Sequence, residues 1–441
     1  MKLTVQTQLA GTHRTERGMI SVNTRFYLCI DLKSFYASVE CVSRGLDPMT
    51  TNLVVADPER QRGTICLAVS PSMKALGVKN RCRVFEIPSS IDYIMAPPRM
   101  QLYIDCAADI YSIYLNYIAK EDIFVYSIDE AFLEVTDYLP LYQLSAKELG
   151  IRIMEDIRLK LGIPAACGIG TNLYLSKIAL DITAKHAPDH MGYLDEETYR
   201  RTLWDHRPLT DFWRIGPGIA GRLEAMGIRT MRQAAHTEER LLRQLLGIDA
   251  AILLDHAWGR EPTTIADIKA YRPKDSSLSN GQVLMRDYSY DEGLLVVKEM
   301  TDLLCLDLVE KGLITRSLFL YVGYSKDTLG SAKGSCTMTV TTSSVQIITG
   351  YICRLYEQIV DRHRPIRRIT ITFNHVTDEA YEQYDLFTDP VLLEKDRKVQ
   401  KAVLDIKKRF GKNAILKGMD LQAAATTRER NGQIGGHKSG I

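Results

Sequence analysis

Two acidic residues stand side by side in the run Tyr126-Ser-Ile-Asp-Glu-Ala-Phe-Leu-Glu-Val135, and a third, Asp31, closes the apolar run that starts at Phe26. Neighbouring side chains of an extended strand point to opposite faces, so Asp129 and Glu130 can serve one ligand only at a turn or strand end. The flanking runs IFVYS and AFLEV have the lengths of two hairpin arms, which puts the acids at the tip. Two carboxylates held together repel and push a pKa upward unless a cation neutralises them. With no His or Cys beside them, an all-oxygen set suits a hard cation, Mg²⁺ or Mn²⁺, over zinc. Three such acids at strand ends would make a two-metal site for phosphoryl or nucleotidyl transfer. Acids exposed at ordinary turns are the plainer alternative.

The elements that must position these acids are legible as a pattern. FYLCID reads as a strand handing over to KSFYASVECVSR, which has helical spacing. NLVVAD and TICLAVS are strand-like, and PSMKALG carries Pro71 near a helix start, so a small subdomain is inserted after the first helix. MQLYIDCAADIYSIYLNYI and ELGIRIMEDIRLKLG are amphipathic helices around the acidic hairpin, AACGIGTN is a strand and turn, and NLYLSKIALDITAKH is another helix. Strands alternating with covering helices imply a layered α/β domain. GIGT (168–171) is too short for a nucleotide loop and reads as a strand-to-helix turn. Residues 205–262 are helical and punctuated by glycine. The polar stretch after them, with Pro273, Ser276, Ser277 and Ser279, reads as a linker. Beyond it the order strand, helix, strand, strand, helix, strand (βαββαβ) defines an α+β unit with one open sheet face. From 379 the chain reads as a tail, in which residues 388–441 hold 12 Lys and Arg against 6 Asp and Glu.

Bulk properties narrow the class. A chain of 441 residues exceeds one ordinary core, and 45% apolar content speaks against disorder. A net charge of +2 does not announce a nucleic-acid binder, although balanced totals can hide a basic surface. Nine scattered cysteines without a CxxC pair read as reduced core thiols. The N-terminus lacks the apolar core of a signal peptide and no stretch is long enough for a membrane span, so a cytoplasmic protein without a membrane partner is expected.

FYLCIDLKSFYASVE (26–40) together with YSIDEAFLEVT (126–136) resembles the paired catalytic motifs of the Y-family DNA polymerases, the lesion-bypass enzymes, nearest the branch of the bacterial SOS mutagenesis polymerase catalytic subunit. The similarity runs in register over roughly 25–378. It implies an α/β and α+β multidomain right hand: an N-terminal extension (1–24), a palm (25–34 and 99–188), fingers (35–98), a helical thumb (189–262), a linker (263–276), a βαββαβ little finger (277–378) and a tail (379–441).

The resemblance also assigns roles. Asp31, Asp129 and Glu130 would hold two Mg²⁺ ions, with the carbonyl of Leu32 completing one shell and Mn²⁺ able to substitute. Ser34 and Phe35 would line the triphosphate and sugar pocket, partly through backbone N–H groups. Tyr36 stands where the family carries its aromatic steric gate against a ribose 2′-OH. Lys74 and Lys185 would meet the triphosphate, although Pro71 stands where many relatives have a tyrosine, and Lys185 fits with a one-residue ambiguity in spacing. RIGPGIAGRL (214–223) has a helix-hairpin-helix pattern, whose Gly216 and Gly218 would let backbone N–H groups approach a DNA phosphate. Arg286, Arg316, Lys326 and Lys333 are backbone contacts by position in the little finger. Gln383, Leu386 and Phe387 resemble a sliding-clamp-binding peptide, with Tyr384 replacing the usual aliphatic residue. A basic amphipathic helix follows, able to touch DNA, a partner or the body itself.

The function implied is template-directed addition of deoxynucleotides to a primer 3′ end, error-prone in bypass of damage, with primer-template DNA, dNTPs, the sliding clamp and accessory subunits as partners. Another two-metal palm enzyme and a non-catalytic DNA- and clamp-binding protein are the competing readings.

Overall fold

The computed structural model describes residues 24–60, 63–325, 330–381 and 389–440. Lys326, Gln383, Leu386, Phe387 and all of the N-terminal extension but Thr24 lie outside the described residues. The chain divides after Tyr271 into two compact units.

The first unit is built on strand β1 (Tyr27–Leu32), whose side chains are buried except for Asp31. Helix α1 (Phe35–Val42) follows at once, and then a small insertion made of β2 (Leu53–Val55), β3 (Ala68–Val69), α2 (Pro71–Ala75) and β4 (Ile94–Ala96). Its three strands pair in the order β3-β2-β4 over a core of Val54, Val69, Met73 and Val84. The chain returns through α3 (Met100–Leu115), β5 (Ile123–Val125), β6 (Glu130–Glu134), α4 (Tyr138–Tyr142) and α5 (Ala146–Leu161). Helix α5 begins at a capping box, Ser145 with Glu148, and ends at Gly162 in the left-handed region. Strand β7 (Ala165–Gly170), helix α6 (Leu173–Ile178) and strand β8 (Met191–Leu194) complete a five-stranded sheet in the order β5-β6-β1-β7-β8, antiparallel except for the β7–β8 pair.

Alternation assigns the faces of this sheet. Leu28, Ile30, Cys167 and Ile169 share one face, where α5 packs: a Cβ built on Gly150 of α5 would meet Cys167 and Leu28. Cys29, Asp31, Gly168 and Gly170 share the other, and Glu130 and Phe132 lie opposite Asp31 and Cys29 on that same face. Helix α6 is pressed onto it so closely that a Cβ at Gly168 would sit 2.2 Å from the Ser176 carbonyl, and one at Gly170 2.1 Å from the Ser176 nitrogen. GIGT is therefore not a turn. Its glycines end β7, and the space a side chain would need belongs to the helix backbone.

Five helices, α7 (Glu196–Leu203), α8 (Pro217–Ala225), α9 (Met231–Ala235), α10 (Glu239–Leu246) and α11 (Asp249–Ala257), share a core of Phe212, Leu223, Met231, Leu242 and Leu253. Two expected boundaries move. The thumb was expected from residue 189, yet β8 is a strand of the palm sheet; four residues carrying Gly192 are too short for a period-2 signal. The expected linker 263–276 contains α12 (Ile265–Ala270), whose Ile265 is buried with Tyr27 and Phe132, and the units part only at Tyr271.

The second unit runs β9 (Leu278–Tyr288), α13 (Tyr290–Lys311), β10 (Leu313–Tyr324), β11 (Ser331–Thr342), α14 (Val345–Ile359) and β12 (Ile366–Asn374), the βαββαβ order expected. The antiparallel sheet has the order β11-β10-β12-β9. Leu318, Leu320 and Val322 of β10 point into the core with α13 and α14, while Phe319 and Tyr321 face the other side. The expected tail is largely part of this unit. Helix α15 (Pro390–Phe410) lies on α13, with Lys408 paired to Glu310 and Ser344 donating to Asp396. Beyond it, α16 (Thr427–Asn431) is anchored on buried Glu299, which accepts from the backbone N–H groups of Thr426 and Thr427. A charge count could not reveal this, because the acids that answer the basic helix are on α13, far away in sequence.

Candidate active site

The acidic run is a hairpin as expected, with the turn over 126–129 closed by N–H groups of Tyr126 and Ser127 donating to the Glu130 carbonyl. Asp129 ends the turn and Glu130 opens β6, so the pair straddles a strand end. The register sets Asp31 directly opposite Glu130, and the Leu32 N–H donates to the Asp129 carbonyl at 2.8 Å. Ser127 donates to Asp129 at 2.6 Å, so its hydroxyl braces the turn. The three acids are carried at one edge of the sheet by two neighbouring strands and the turn between β5 and β6.

The charge that answers them comes from α6 and its continuation. Lys177 reaches both Glu130 oxygens at 2.8 Å and Asp181 at 2.9 Å, with Lys177 and Glu130 side chains each only 8% exposed. Lys185 is 2.8 Å from Asp181 and 3.3 Å from Asp31. The positions 177, 181 and 185 would drift around a regular α-helix; here residues Ala179–Thr183 form a π-turn, whose longer period keeps all three toward the acids. Burial pushes the Asp31 carboxyl above its ordinary value, Lys185 acts against the rise and Asp129 adds to it. Glu130 is likewise raised by burial, with Lys177 opposing. Lys177 keeps its proton: burial works against the ammonium, and Cys29, Glu130 and Asp181 outweigh it.

Around this cluster stand the other expected residues. Ser34 occupies the left-handed region (φ 47°) at the start of α1, a strained conformation for a serine, and the first turn is instead tied by Ser38 donating to the Lys33 carbonyl at 2.6 Å. Phe35, which follows Ser34, is buried. Tyr36 is half-buried and stacks on Tyr103, ring centroids 4.4 Å apart and planes 15° off parallel. Lys74, exposed on α2, is within electrostatic reach of Asp31, Asp129 and Lys185. Gly216 caps α8 and Gly218 lies in its first turn; a Cβ at either would meet nothing within 4 Å, so neither glycine is needed for packing. Trp213, just before this hairpin, donates its indole N–H to the Tyr126 hydroxyl at 3.1 Å and packs against Phe132, joining the helical subdomain to the acidic turn.

Two segments match one family of known proteins: residues 30–181 match the impB/mucB/samB family and residues 275–386 its C-terminal domain. A Bacillus subtilis (strain 168) protein that carries the provisional name UV-damage repair protein UvrX is 32% identical over 415 residues, 93% of this chain and 97% of its own. DNA polymerase IV 2 of the same organism is 29% identical over 418 residues, 92% of this chain and 97% of its own. The chain belongs to the Y-family DNA polymerases. A solved Y-family DNA polymerase chimera shares the fold, with a TM-score of 0.63 at 20% identity over 80% of this chain and 99% of its own. The palm, fingers, thumb and little finger of a polymerase hand are thus the five-stranded sheet, the insertion, the helical subdomain and the second unit.

Polymerases of this family use divalent metal, and the donor set fits one: three carboxylates and a main-chain carbonyl, all hard oxygens. Among the described residues no three acidic, His or Cys side chains converge into a ready-made metal cluster, because Asp31 and Glu130 are turned to Lys185 and Lys177. No helix of the described residues is long and apolar enough to cross a membrane. On the little finger, Arg316 lies at a bulge of β10 and donates to the Met338 carbonyl at 3.0 Å. Lys333 is exposed on β11, opposite Tyr321. Arg286 is paired with Glu292 at 2.6 Å, which holds that carboxyl down at about 2, and its guanidinium lies over Tyr288. Sequence reasoning missed Lys177, Asp181, Trp213 and the buried carboxylate Glu40. Only the i, i+4, i+8 spacing of Lys177, Asp181 and Lys185 carried a signal, and a π-turn has none in sequence.

Proposed function

We propose that this polymerase extends a primer 3′ end by two-metal nucleotidyl transfer, and that it works in error-prone bypass of damaged templates within an SOS-type response. The observation that carries the reading is the strand register that sets Asp31 opposite Glu130, with Asp129 tied to the Leu32 N–H. Asp31, Asp129, Glu130 and the Leu32 carbonyl would hold two Mg²⁺ ions, with Mn²⁺ able to substitute. Bound there, the ions would supply activation of the 3′-hydroxyl and charge neutralisation on the triphosphate.

The chain's own residues do the rest. Lys177 opposes the rise that burial imposes on the Glu130 carboxyl and so favours its ionised form. Lys74 and Lys185 bring positive charge to the triphosphate, and the α1 backbone from Ser34 and Phe35 offers N–H groups. Tyr36 excludes a 2′-hydroxyl by volume. The open glycines Gly216 and Gly218 admit a DNA phosphate to the hairpin backbone. Arg316 and Lys333 support backbone contact by the little finger, and Arg286 does so only after leaving Glu292. Gln383, Leu386 and Phe387 serve as the tether to a sliding clamp, which raises the effective concentration of primer ends. Accessory subunits and a cytoplasmic location belong to the same proposal. The name of the UV-damage repair relative supports the bypass role.

The experiment is extension of a labelled primer on undamaged and lesion-bearing templates with Mg²⁺. Wild type should add single nucleotides on both and Asp129→Ala on neither. Equal extension by the two proteins would end the assignment of the acids.

A further inference from the structure

The steric gate does not stand alone. Tyr36 and Glu40 lie one turn apart on the same side of α1, and Arg99 and Tyr103 lie one turn apart at the start of α3. The two pairs interlock. Tyr36 stacks on Tyr103, and the Tyr103 hydroxyl donates to Glu40 at 2.7 Å. Arg99 grips the same carboxylate with two nitrogens, Nε at 3.0 Å and Nη2 at 2.7 Å, and Arg44 binds it from the next turn of α1. The Glu40 carboxylate is 0% exposed and accepts from every side. Burial acts to raise its pKa, but the hydrogen bonds from Arg99, Tyr103 and Arg44 outweigh it and hold the group ionised.

The place of this cluster in the fold gives it meaning. Glu40 lies on α1, just before the chain enters the insertion that starts at β2, and Arg99 lies where it leaves it. A fork of guanidinium on carboxylate is geometrically stiff in a way that a single ammonium is not. Tyr103 is therefore fixed at both its ring and its hydroxyl, and its face fixes the plane of Tyr36.

We propose that Glu40, with Arg99 and Tyr103, forms a positioning clamp that sets the sugar selectivity of the polymerase by holding the Tyr36 ring in place. The proposal rests on the reading of Tyr36 as the gate. None of the three touches the acids, so the clamp acts on which sugar is accepted and leaves bond formation with a deoxynucleotide intact.

The test is the ratio of kcat/KM for a dNTP to that for the matching rNTP, in single-nucleotide primer extension with Mg²⁺ by the full-length protein. Tyr103→Phe keeps the stacked ring and removes the hydroxyl, with the bond it donates to Glu40 and the one it accepts from the Arg99 N–H, which makes it the variant that folds most safely. Tyr103→Phe and Glu40→Gln should each retain dNTP extension within about twofold while the dNTP-to-rNTP ratio falls about fivefold or more. Glu40→Asp, which shortens the reach but keeps the charge, should recover part of the ratio. Thermal melting identifies a variant that has merely failed to fold, and Tyr103→Phe then decides the question. If Tyr36→Ala collapses the ratio while Tyr103→Phe leaves it at the wild-type value, the clamp is overturned and the gate stands. If Tyr36→Ala leaves the ratio unchanged, both are overturned.

Discussion

Two buried carboxylates at the palm, Glu130 and Glu40, each meet a basic side chain, yet their protonation tendencies move in opposite directions. Glu130 has one ammonium partner in Lys177 and a thiol in Cys29 at 3.2 Å, and burial leaves its pKa raised. Glu40 has a forked guanidinium, a second arginine and a phenol, and its pKa is lowered. The difference is donor number and fit. A carboxylate that is saturated becomes structure, because every lone pair is satisfied and nothing remains to exchange. One held by a single ammonium has lone pairs to spare and can turn to another cation.

The sharpest way to test that contrast is to neutralise one acid on each side. Asp31→Asn should reduce primer extension at least about a hundredfold. Because the Asp31 pKa is raised in the folded protein, its ionised form opposes folding at pH 7, so the same substitution should raise the melting temperature by about 1–2 °C. A melting temperature that falls instead would break the comparison. Glu40→Gln should do the reverse: it leaves arginines buried against an amide and should cost about 3 kcal/mol in denaturant unfolding. That loss should itself depend on pH. The folded-state pKa lies below the unfolded one, so the stabilisation is complete above the unfolded carboxylate range and disappears as pH falls through the folded value. Wild type and Glu40→Gln should therefore differ in melting at pH 7, and the difference should shrink as pH falls below the ordinary carboxylate range.

Smaller effects sharpen the active-site half of the contrast. Lys177→Met leaves Glu130 buried beside a thiol, and extension at pH 7 should fall about tenfold, with Lys177→Arg retaining more of it. An unaffected rate would mean that Lys177 is packing alone. Trp213→Phe keeps an aromatic ring on Phe132 and loses only the N–H to Tyr126; about 1 kcal/mol of stability and a two- to threefold drop in extension are expected, read by melting and by steady-state kinetics.

The acids were legible because adjacency of two carboxylates in an apolar run has few explanations, and the hairpin that resolves it was set by the arm lengths. The proposed gate role of Tyr36 came only through resemblance, since a tyrosine on a helix has no signature of its own. Its partners were not legible at all. Glu40 read as one more charge on α1, because the residues that neutralise it include Arg99 and Tyr103, across the whole fingers insertion. The C-terminal segment failed for the same reason: local composition announced a basic tail, while Glu299, Asp302 and Glu310 on α13 waited to receive it.

By itself, then, the sequence determined the order of elements, the acidic trio and the class of chemistry, because these rest on residue type and short-range period. Tertiary structure alone decided which charges are answered and how fully. That depends on contacts between segments distant in the chain: glycines in β7 that let α6 bring Lys177 to Glu130, a π-turn that keeps Lys185 near Asp31, and two helices that join Glu40, Arg99 and Tyr103 behind Tyr36. Burial and donor count set the behaviour of each carboxylate, and neither is a property of any stretch of sequence read alone.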